Sequence, residues 1–445
     1  MRQPAIVLAA CFLSLHADRL SAAEASTWTW VTAKATLAPY DGPSVKGVDC
    51  STLSNKVVVG YQGWFATAND GGPLGWKHYP LHSKEPLPGN VCIDFWPDVS
   101  ELDPDELCET KFVHADGKPA ALFSSRNPKT VNRHFQWMRQ YGIDAAFVQR
   151  FAHSVSSSPA RFENSCRVLA NCRAGANRNG VGYIVMYDLS GMPSNAMERV
   201  KADWRMLVDG MKMTRDPNDK AYLYHHGKPL VAVWGVGFKP NDKKDRAYSL
   251  AECADFVNFL QHDPKYGGCS VMLGVPTGWR TGTKDSVSDP ALLALLKQCE
   301  VISPWTPGRY KNPAEVTTHA KKYWGPDAEW CKTQKIDYLP VVFPGFSWHN
   351  KTPDAPTDAI PRLKGKFLWQ QYYELAKLNI PMVYQAMFDE MDEGTQIFKV
   401  TNNPPQGSPF VTYEGLPSDF YLKLVGAAAK MIRRETPVTA VLKED

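Results

Sequence analysis

The sequence predicts a single-domain α/β fold, a (β/α)8 TIM barrel with long loops between strands and helices. Eight apolar runs with the composition of buried strands alternate with segments of helical spacing along the 445-residue chain. Aromatic and polar residues cluster where these runs end. Barrels of this type carry their sites at the carboxyl ends of their strands, so the two observations support each other.

The elements follow from hydrophobic periodicity. The predicted strands are residues 56–65, 143–151, 181–188, 229–235, 269–275, 301–305, 337–346 and 381–388. The predicted helices are residues 130–141, 162–173, 197–211, 250–262, 292–298, 313–323, 367–378 and 420–433. Gly142 is a typical stop for the first helix. Residues 66–120 are rich in Gly, Pro and Trp, which predicts a long loop over the end of the first strand.

The amino terminus predicts export. Arg2 precedes an apolar run from Pro4 to Leu15, and small residues follow it up to Glu24. An alternative is a lipid anchor at Cys11, although the apolar segment before that cysteine is short. We therefore expect a periplasmic or extracellular protein without a membrane-spanning segment. The predicted divisions are a signal peptide (1–23), an irregular arm (24–55), the barrel (56–435) and a carboxyl-terminal tail (436–445).

Composition excludes several classes of function. The formal net charge of +4 is small and dispersed, which argues against nucleic acid as a partner. The eleven histidines are scattered and no C-x-x-C or H-E-x-x-H motif occurs, so we predict neither a metal nor another cofactor. Export permits disulfides among the nine cysteines beyond Cys11, and the pairs closest in sequence are Cys92 with Cys108 and Cys166 with Cys172. Oligomeric state stays open.

The eighth predicted strand ends in four carboxylates, Asp389, Glu390, Asp392 and Glu393. Acids crowded at the end of a buried strand repel one another, so packing alone does not account for them. Glu390 and Glu393 are spaced to face one cleft, where different environments can keep one ionised and the other protonated. We interpret these two as catalytic, and Asp389 and Asp392 as residues that orient them. The alternative is a solvated acidic turn.

Other strand ends supply the side chains expected around a carbohydrate, which is bound by flat apolar rings together with hydrogen-bonding groups. The candidate substrate-binding residues are Tyr61, Gln62, Trp64, Arg150, Tyr187, Asp188, Trp234, Trp279, Trp305, Tyr310, Trp348 and His349. Structural alternatives stay open for several of them. The aromatic side chains can cap the barrel core, Arg150 can pair with Asp188 or with the acidic motif, and His349 can be an ordinary loop histidine.

Residues 390–397, EMDEGTQI, resemble the E-W-H-E-G-T-Q-I motif that closes strand eight in glycoside hydrolase family 99, the endo-α-mannosidases and endo-α-mannanases. Residues 142–144 (GID) and 340–345 (PVVFPG) also resemble that family, and the resemblance spans the barrel, roughly residues 57–397. The chain departs from the motif at Met391 and Asp392, where the family has Trp and His. It is thus similar to the looser group around families 71 and 99, and the sugar stays open.

The resemblance implies a glycosidase that cleaves an α-linked glycan with retention, through a 1,2-anhydro sugar, and the amino terminus predicts that this enzyme is exported. It implies that Glu390 removes the proton of the sugar's 2-hydroxyl group and that Glu393 serves as acid and then as base. The alternatives are a family-71-like α-glucanase or another glycosidase in which a carboxylate attacks C1 or activates water. From a different class, the chain can be a non-catalytic carbohydrate-binding barrel, although a binding module needs no paired acid and base.

Overall fold

The computed structural model describes residues 36–240 and 246–442. These residues form, in chain order, the strands β1 (Val57–Tyr61), β2 (Leu107–Val113), β3 (Pro119–Phe123), β4 (Ala145–Phe151), β5 (Gly182–Asp188), β6 (Tyr224–His225), β7 (Lys228–Trp234), β8 (Ser270–Val275), β9 (Val301–Pro304), β10 (Asp337–Tyr338), β11 (Val341–Val342) and β12 (Val383–Gln385).

The α-helices of the described residues are α1 (Pro128–Gln140), α2 (Ala152–Ser157), α3 (Pro159–Asn179), α4 (Met197–Gly210), α5 (Leu250–His262), α6 (Pro290–Leu296), α7 (Pro313–His319), α8 (Gly325–Gln334), α9 (Lys366–Lys377) and α10 (Phe420–Ile432). A π-helical turn, Ala320–Trp324, joins α7 to α8. Short 3-10 helices lie at Pro104–Glu106 and Leu363–Gly365. Each predicted helix corresponds to one of these helices; residues 250–262 have the predicted ends, and the other helices have shifted ends.

The parallel strands close into a barrel. Pairing runs in the order β10, β9, β8, β7, β5, β4, β1, β12 and β11. Only Leu339 and Pro340 separate β10 from β11, and these two residues continue the pairing, because the Leu339 N–H donates to Ile302 O and the Tyr384 N–H donates to Pro340 O. The two pieces are therefore halves of one strand, which contacts β9 on one side and β12 on the other. The predicted (β/α)8 barrel is confirmed.

Local signals in the sequence begin and end several helices. Asn127 accepts a hydrogen bond from the Lys129 N–H at the start of α1, where Pro128 has no N–H to satisfy. Helix α3 ends at Gly180, whose φ of 62° is in the left-handed region that glycine adopts freely. Ser249 and Glu252 form a capping box at α5. Burial on both faces of the strands, complete along β1 and β8, holds the helices against the sheet.

Two expectations from the sequence need correction. Residues 66–120 are not loop alone, since they contain β2 and the start of β3, which pair as an antiparallel hairpin. All nine described cysteines are unpaired, so the expected disulfides are absent from this part of the chain. Cys166 and Cys172 lie six residues apart on α3, and at 3.6 residues per turn their side chains leave the helix on different sides.

The chain before β1 is described from residue 36 onward and has neither helix nor strand up to residue 56. The predicted signal peptide, its cleavage after Ala23 and the alternative anchor at Cys11 lie outside the described residues. Across residues 36–240 and 246–442, no helix is long and apolar enough to cross a bilayer.

Candidate active site

The segment after β12 forms a tight loop at the carboxyl end of the barrel. The Phe388 N–H donates to Gly60 O at 2.7 Å, which joins this loop to the end of β1. Within the loop the Met387 N–H donates to Thr395 O and the Thr395 N–H donates to Glu390 O. These backbone bonds hold the four carboxylates at the mouth, on the side where β1 and β12 are neighbours.

Asp389 anchors the loop to the first strand. Its two carboxylate oxygens accept hydrogen bonds from the Gln62 N–H at 2.8 Å and the Gly63 N–H at 2.9 Å. Asp389 is fully buried. Burial raises its pKa to about 7, although the two N–H donors act in the opposite direction. Asp389 therefore positions the end of β1 against the acidic loop.

Glu390 is buried, with 4% of its surface exposed, and two side chains hold it. Gln62 donates through Nε2 to one carboxylate oxygen, and the Thr395 hydroxyl group donates to the other. The same glutamine therefore presents its backbone N–H to Asp389 and its side chain to Glu390. This arrangement fixes the orientation of the Glu390 carboxylate before any ligand arrives.

Glu393 is the most accessible of the four acids, with 30% of its side chain exposed. Lys351 Nζ lies 3.6 Å from a Glu393 oxygen and 3.2 Å from Asp392 Oδ2. Asp392, itself buried, also contacts His78 Nδ1 at 3.4 Å. Burial tends to raise the pKa of Asp392, but Lys351 and His78 outweigh it and hold that pKa below its ordinary value. Asp392 is thus an ionised group that fixes Lys351 beside Glu393.

Glu390 and Glu393 are both pushed toward their protonated forms. Burial, followed by the charges of Glu393 and Asp392, raises the pKa of Glu390 well above its ordinary value. Burial also raises the pKa of Glu393, against the nearby Lys351. Because each carboxylate disfavours ionisation of the other, the pair retains a proton at pH values where an exposed glutamate has lost it.

The loop after β11 carries Lys351 and packs on the acidic segment. Buried Asp94 holds this loop by accepting from the Ser347 hydroxyl group and from the backbone N–H groups of His349 and Asn350. The Ser347 N–H donates to Glu393 O at 3.0 Å. The His349 ring turns into its own loop, with Nδ1 2.6 Å from Ala355 O. His349 therefore has the structural role that was the alternative in the sequence interpretation.

Aromatic side chains line the opposite side of the mouth. Trp234 and Trp305 are partly exposed and meet edge to face at 5.3 Å between ring centroids. Tyr384, buried below them, lies 6.4 Å from Trp305 and places its hydroxyl group 3.4 Å from Gln149 Nε2. After the first strand, Trp64 stacks on His78 with 4.1 Å between ring centroids. These rings give the mouth the apolar surfaces that the sequence predicted.

Asp188 and Trp348, like His349, are predicted binding residues that remain partly exposed. The Ser190 N–H donates to Asp188 Oδ1 at 2.7 Å, and burial raises the pKa of Asp188. Its charge in turn raises the pKa of Glu393, after larger effects from burial, Lys351 and Asp392. Trp348 packs edge to face on Phe346 at 5.1 Å. Gln62 thus contacts the acidic loop directly and Asp188 acts on it through its charge. A role in substrate binding for these two residues and for Trp64, Trp234, Trp305 and Trp348 stays a prediction.

Five predicted binding residues are instead buried in contacts with other side chains, so those predictions need correction. For the strand residues Tyr61, Arg150 and Tyr187 this follows from alternation, because neighbouring residues of a strand face opposite sides of the sheet. Trp279 and Tyr310 lie in the loops after β8 and β9. Arg150 binds Asp203 of α4 rather than Asp188, and Tyr187 donates to the same carboxylate at 2.7 Å. The other contacts are Tyr61 with His134, Tyr310 with Gln371, and Trp279 with Trp330.

The sequence analysis missed His78, Gln149, Lys351 and Thr395. Thr395 could have been predicted from the sequence, because it lies inside the motif of residues 390–397. Gln149 precedes Arg150 on a strand buried on both faces, where the hydrophobic pattern does not tell which face is inside. His78 and Lys351 come from loops whose contacts with Asp392 span 314 and 41 residues of sequence. No local signal marks such contacts.

Among the described residues, one group has the composition of a metal site: His225, His226 and Asp337. It lies where β6 ends and β7 and β10 begin, at the end of the barrel opposite the acidic loop. The Leu53 N–H donates to His225 Nδ1, so the neutral ring carries its proton on Nε2, which lies 2.8 Å from Asp337. A metal ion on Nε2 would have to displace that proton. The contacts therefore favour a hydrogen-bonded cluster over a metal site.

Three solved structures share this architecture. Two are of the glycoside hydrolase family 99 endo-α-mannosidase from Bacteroides thetaiotaomicron, one of them in complex with bis-tris propane. Both have 16% sequence identity and cover 86% of this chain and 99% of theirs, with TM-scores of 0.61 and 0.59. A glycoside hydrolase-like protein has 12% identity, covers 89% of this chain and 98% of its own, and has a TM-score of 0.50.

No family model matches the chain, and no curated protein matches its sequence. The resemblance predicted from the acidic motif is thus confirmed at the level of the fold. The chain has the (β/α)8 barrel architecture of the family 99 endo-α-mannosidase structures, with its own acidic loop at the carboxyl end of the eighth strand.

Proposed function

We propose that this protein is a glycoside hydrolase that cleaves an α-linked glycan. The observation that carries the proposal is the pair formed by buried Glu390 and partly exposed Glu393, both with raised pKa values, at the mouth of the barrel. Glycosidic cleavage requires a proton donor and a base close together, and such a pair supplies both. Trp234 and Trp305 support a carbohydrate ligand, since their partly exposed rings suit the apolar faces of sugars.

In the proposed mechanism Glu390 removes the proton from the sugar's 2-hydroxyl group. That oxygen bonds to C1 while the bond from C1 to the leaving oxygen breaks, and Glu393 donates a proton to the leaving oxygen. Glu393 then takes a proton from water, whose oxygen attacks C1 and opens the three-membered ring. The proton held by Glu390 returns to the 2-oxygen. The product keeps the configuration of the substrate, and both carboxyl groups regain their initial protonation states.

The surroundings of each glutamate support these roles to different degrees. Two donors, Gln62 and Thr395, contact Glu390, and such contacts stabilise a carboxylate. The raised pKa of Glu390 acts in the opposite direction, because a base must be ionised. The proposal therefore requires the proton of the pair to reside on Glu393 when substrate is bound. The raised pKa of Glu393 and its partial exposure suit a proton donor that reaches a leaving oxygen.

The charges of Lys351 and Asp392 determine the electrostatic environment of Glu393. Lys351 contacts both acids, and its own pKa is raised because the charges of Asp392 and Glu393 outweigh burial. This cation limits how far the pKa of Glu393 rises, which suits a group that must also act as a base in the second step. Export of the enzyme is a further part of the proposal and rests on residues 1–23 alone.

A hydrolysis screen tests the proposal. Purified protein is incubated with a panel of α-linked mannans, glucans and mixed glycans, and the products are separated by size. We expect release of shorter oligosaccharides from at least one substrate, and none from the double variant Glu390→Gln with Glu393→Gln. If the wild-type protein binds glycans but releases nothing from them, the hydrolase proposal is wrong and a binding barrel is the better account.

A further inference from the structure

A cavity of about 250 Å³ opens beside the acidic loop, between the ends of β1 and β4 and the start of α3. Gln62, Trp64, His78 and Gln149 line the side nearest the carboxylates. Gln62 also bonds Glu390, and Gln149 also contacts Tyr384, so the cavity adjoins the proposed reaction centre. Its volume lies just below the roughly 300 to 1,000 Å³ typical of sites for drug-sized ligands, which suits a single sugar unit.

The far side of this cavity is positively charged. Lys77 and Arg161 line it and are exposed, and neither forms an ion pair with any residue in the described parts of the chain. Glu163, close by on the same helix, is occupied by Arg126 at 2.7 Å. The charge of Arg161 also acts on the cavity itself, since the pKa of the lining residue His153 is lowered, first by burial and then by Arg161.

A buried polar side chain marks the cavity as more than a solvated surface. Asn164 lines it with only 6% of its surface exposed, and its Oδ1 atom has no hydrogen-bond partner among the described residues. A buried amide without a partner costs roughly 1–3 kcal/mol, so such groups normally meet a ligand or water. Asn164 lies in the second turn of α3, whose 21 residues direct the positive end of their dipole to this side.

We propose that this cavity binds an anionic substituent, a carboxylate or a sulfate ester, on the sugar unit next to the bond that is cleaved. Arg161 and Lys77 supply the charge, and the Asn164 amide hydrogen-bonds a polar group of the same sugar. Two unpaired cations around a neutral ligand gain little, whereas an anion among them forms charge-assisted hydrogen bonds. The substrate class is then an acidic α-linked glycan. This inference rests on the proposed function only for the position of the scissile bond.

Binding of small probes tests the cavity without any hydrolysis. The full chain is titrated with D-glucuronate, with glucose 6-sulfate and with glucose, and dissociation constants are measured by ligand-observed NMR. We expect at least one charged sugar to bind about tenfold or more tightly than glucose, which is about 1.4 kcal/mol. Arg161→Gln should remove this preference, and high salt should weaken it.

The matched control is Arg167→Gln, which removes the same charge from the same helix at a residue that does not line the cavity. We expect this variant to retain the wild-type preference. Preference for glucuronate alone or for the sulfate alone supports the proposal and identifies the anion. The proposal is overturned if glucose binds as tightly as both charged sugars, if neither charged sugar binds at high millimolar concentration, or if the two arginine variants lose the preference equally.

This result is independent of the proposed hydrolysis. If the charged sugars bind as expected but no glycan is cleaved, the cavity proposal stands and the hydrolase proposal falls. If neutral α-glycans are cleaved and Arg161→Gln changes neither binding nor cleavage, the hydrolase proposal stands and the anionic site is rejected.

Discussion

Two buried clusters of charge lie in different parts of the barrel, one between the sheet and its helices and one at the mouth, and their composition differs. Behind the sheet, Asp203 meets the guanidinium group of Arg150 and the hydroxyl group of Tyr187, so that both of its oxygens are bonded. At the mouth, four acids lie together: Asp389, Glu390, Asp392 and Glu393. Among the lysines and arginines that the structure describes, Lys351 forms ion pairs with this group, through Asp392 and Glu393. One cluster balances its charge and the other does not.

This difference in charge balance distinguishes a cluster that stabilises the fold from one that is suited to acid–base chemistry. A buried carboxylate with a full set of partners is a fixed part of the fold, and removing one partner is costly because the other stays charged. Crowded carboxylates with too few cations instead hold protons at unusual pH values, which is a property of acid and base catalysts. On this comparison Arg150 stabilises the fold, and the catalytic role of Glu390 and Glu393 is our proposal, although all three stood together among the residues predicted for the site.

The largest effect is expected from Glu390→Gln and Glu393→Gln. Each should lower the rate on a natural glycan by roughly 10² to 10⁴, because an amide neither accepts nor donates the required proton. An activated aryl glycoside, whose leaving group needs no proton, should partly restore the rate of Glu393→Gln and not that of Glu390→Gln. The measurement is kcat/KM on both substrates, with thermal unfolding as the check on the fold.

Three outcomes of that experiment would change the assignment. Equal residual rates on the aryl glycoside would remove the division of roles. If the aryl glycoside restored the rate of Glu390→Gln instead of that of Glu393→Gln, the two roles would be reversed. The strongly raised pKa of Glu390 favours that reversal, because a protonated carboxyl group is a proton donor. Unchanged rates in both variants would place the chemistry elsewhere.

The cluster behind the sheet should respond in the opposite way. Arg150→Met leaves Asp203 buried without its cation and should lower the free energy of unfolding by about 3–5 kcal/mol. The double variant Arg150→Met with Asp203→Leu removes both charges and should be less destabilised than Arg150→Met alone. Urea denaturation measures both, and kcat per folded molecule should stay near the wild-type value. A loss of kcat comparable to that of the glutamate variants would give Arg150 a role in the site after all.

Asp389→Asn tests the residue that joins the loop to β1. An amide offers one acceptor oxygen in place of two, so the Gln62 or Gly63 N–H loses its partner at a cost of roughly 1–3 kcal/mol. The pKa of Asp389 is raised from 3.8 to about 7 in the folded state. Its contribution is therefore fully present below pH 3.8 and is lost as the pH rises through 7.

Asparagine does not titrate in this range. The free energy of unfolding of Asp389→Asn should therefore fall less between pH 4 and pH 8 than that of the wild-type protein, as measured by urea denaturation at both pH values. A parallel change in both proteins would show that Asp389 has the same pKa in the folded and unfolded states.

The smallest effect is expected from Lys351→Met. Loss of this cation should raise the pKa of Glu393. The alkaline limb of the pH profile of kcat/KM should then move to higher pH by about one unit, since the proton donor stays protonated to higher pH. Lys351→Arg keeps the charge and should leave the limb in place. A shift toward lower pH in Lys351→Met, or equal shifts in both variants, would show that the limb does not report Glu393.

The sequence by itself determined the barrel and the position of its acidic loop. Apolar runs of strand length, separated by helical periods and by stops such as Gly142, leave few other folds, and each run was found in the expected place. Glu390 and Glu393 could be selected as catalytic candidates from the sequence, because carboxylates at the end of a predicted strand are a local sequence signal. The predicted export of the chain lies in residues outside the described part of the structure.

The tertiary structure alone decided which side chains join that loop. Strands of a closed barrel are apolar on both faces, so the pattern did not tell that Gln149 faces inward and Arg150 outward. His78, Asp94 and Lys351 meet the acidic segment or its neighbouring loop from distant parts of the chain. Such contacts depend on how loops fold over the mouth, and hydrophobic periodicity, which reports only burial within one element, carries no information about them.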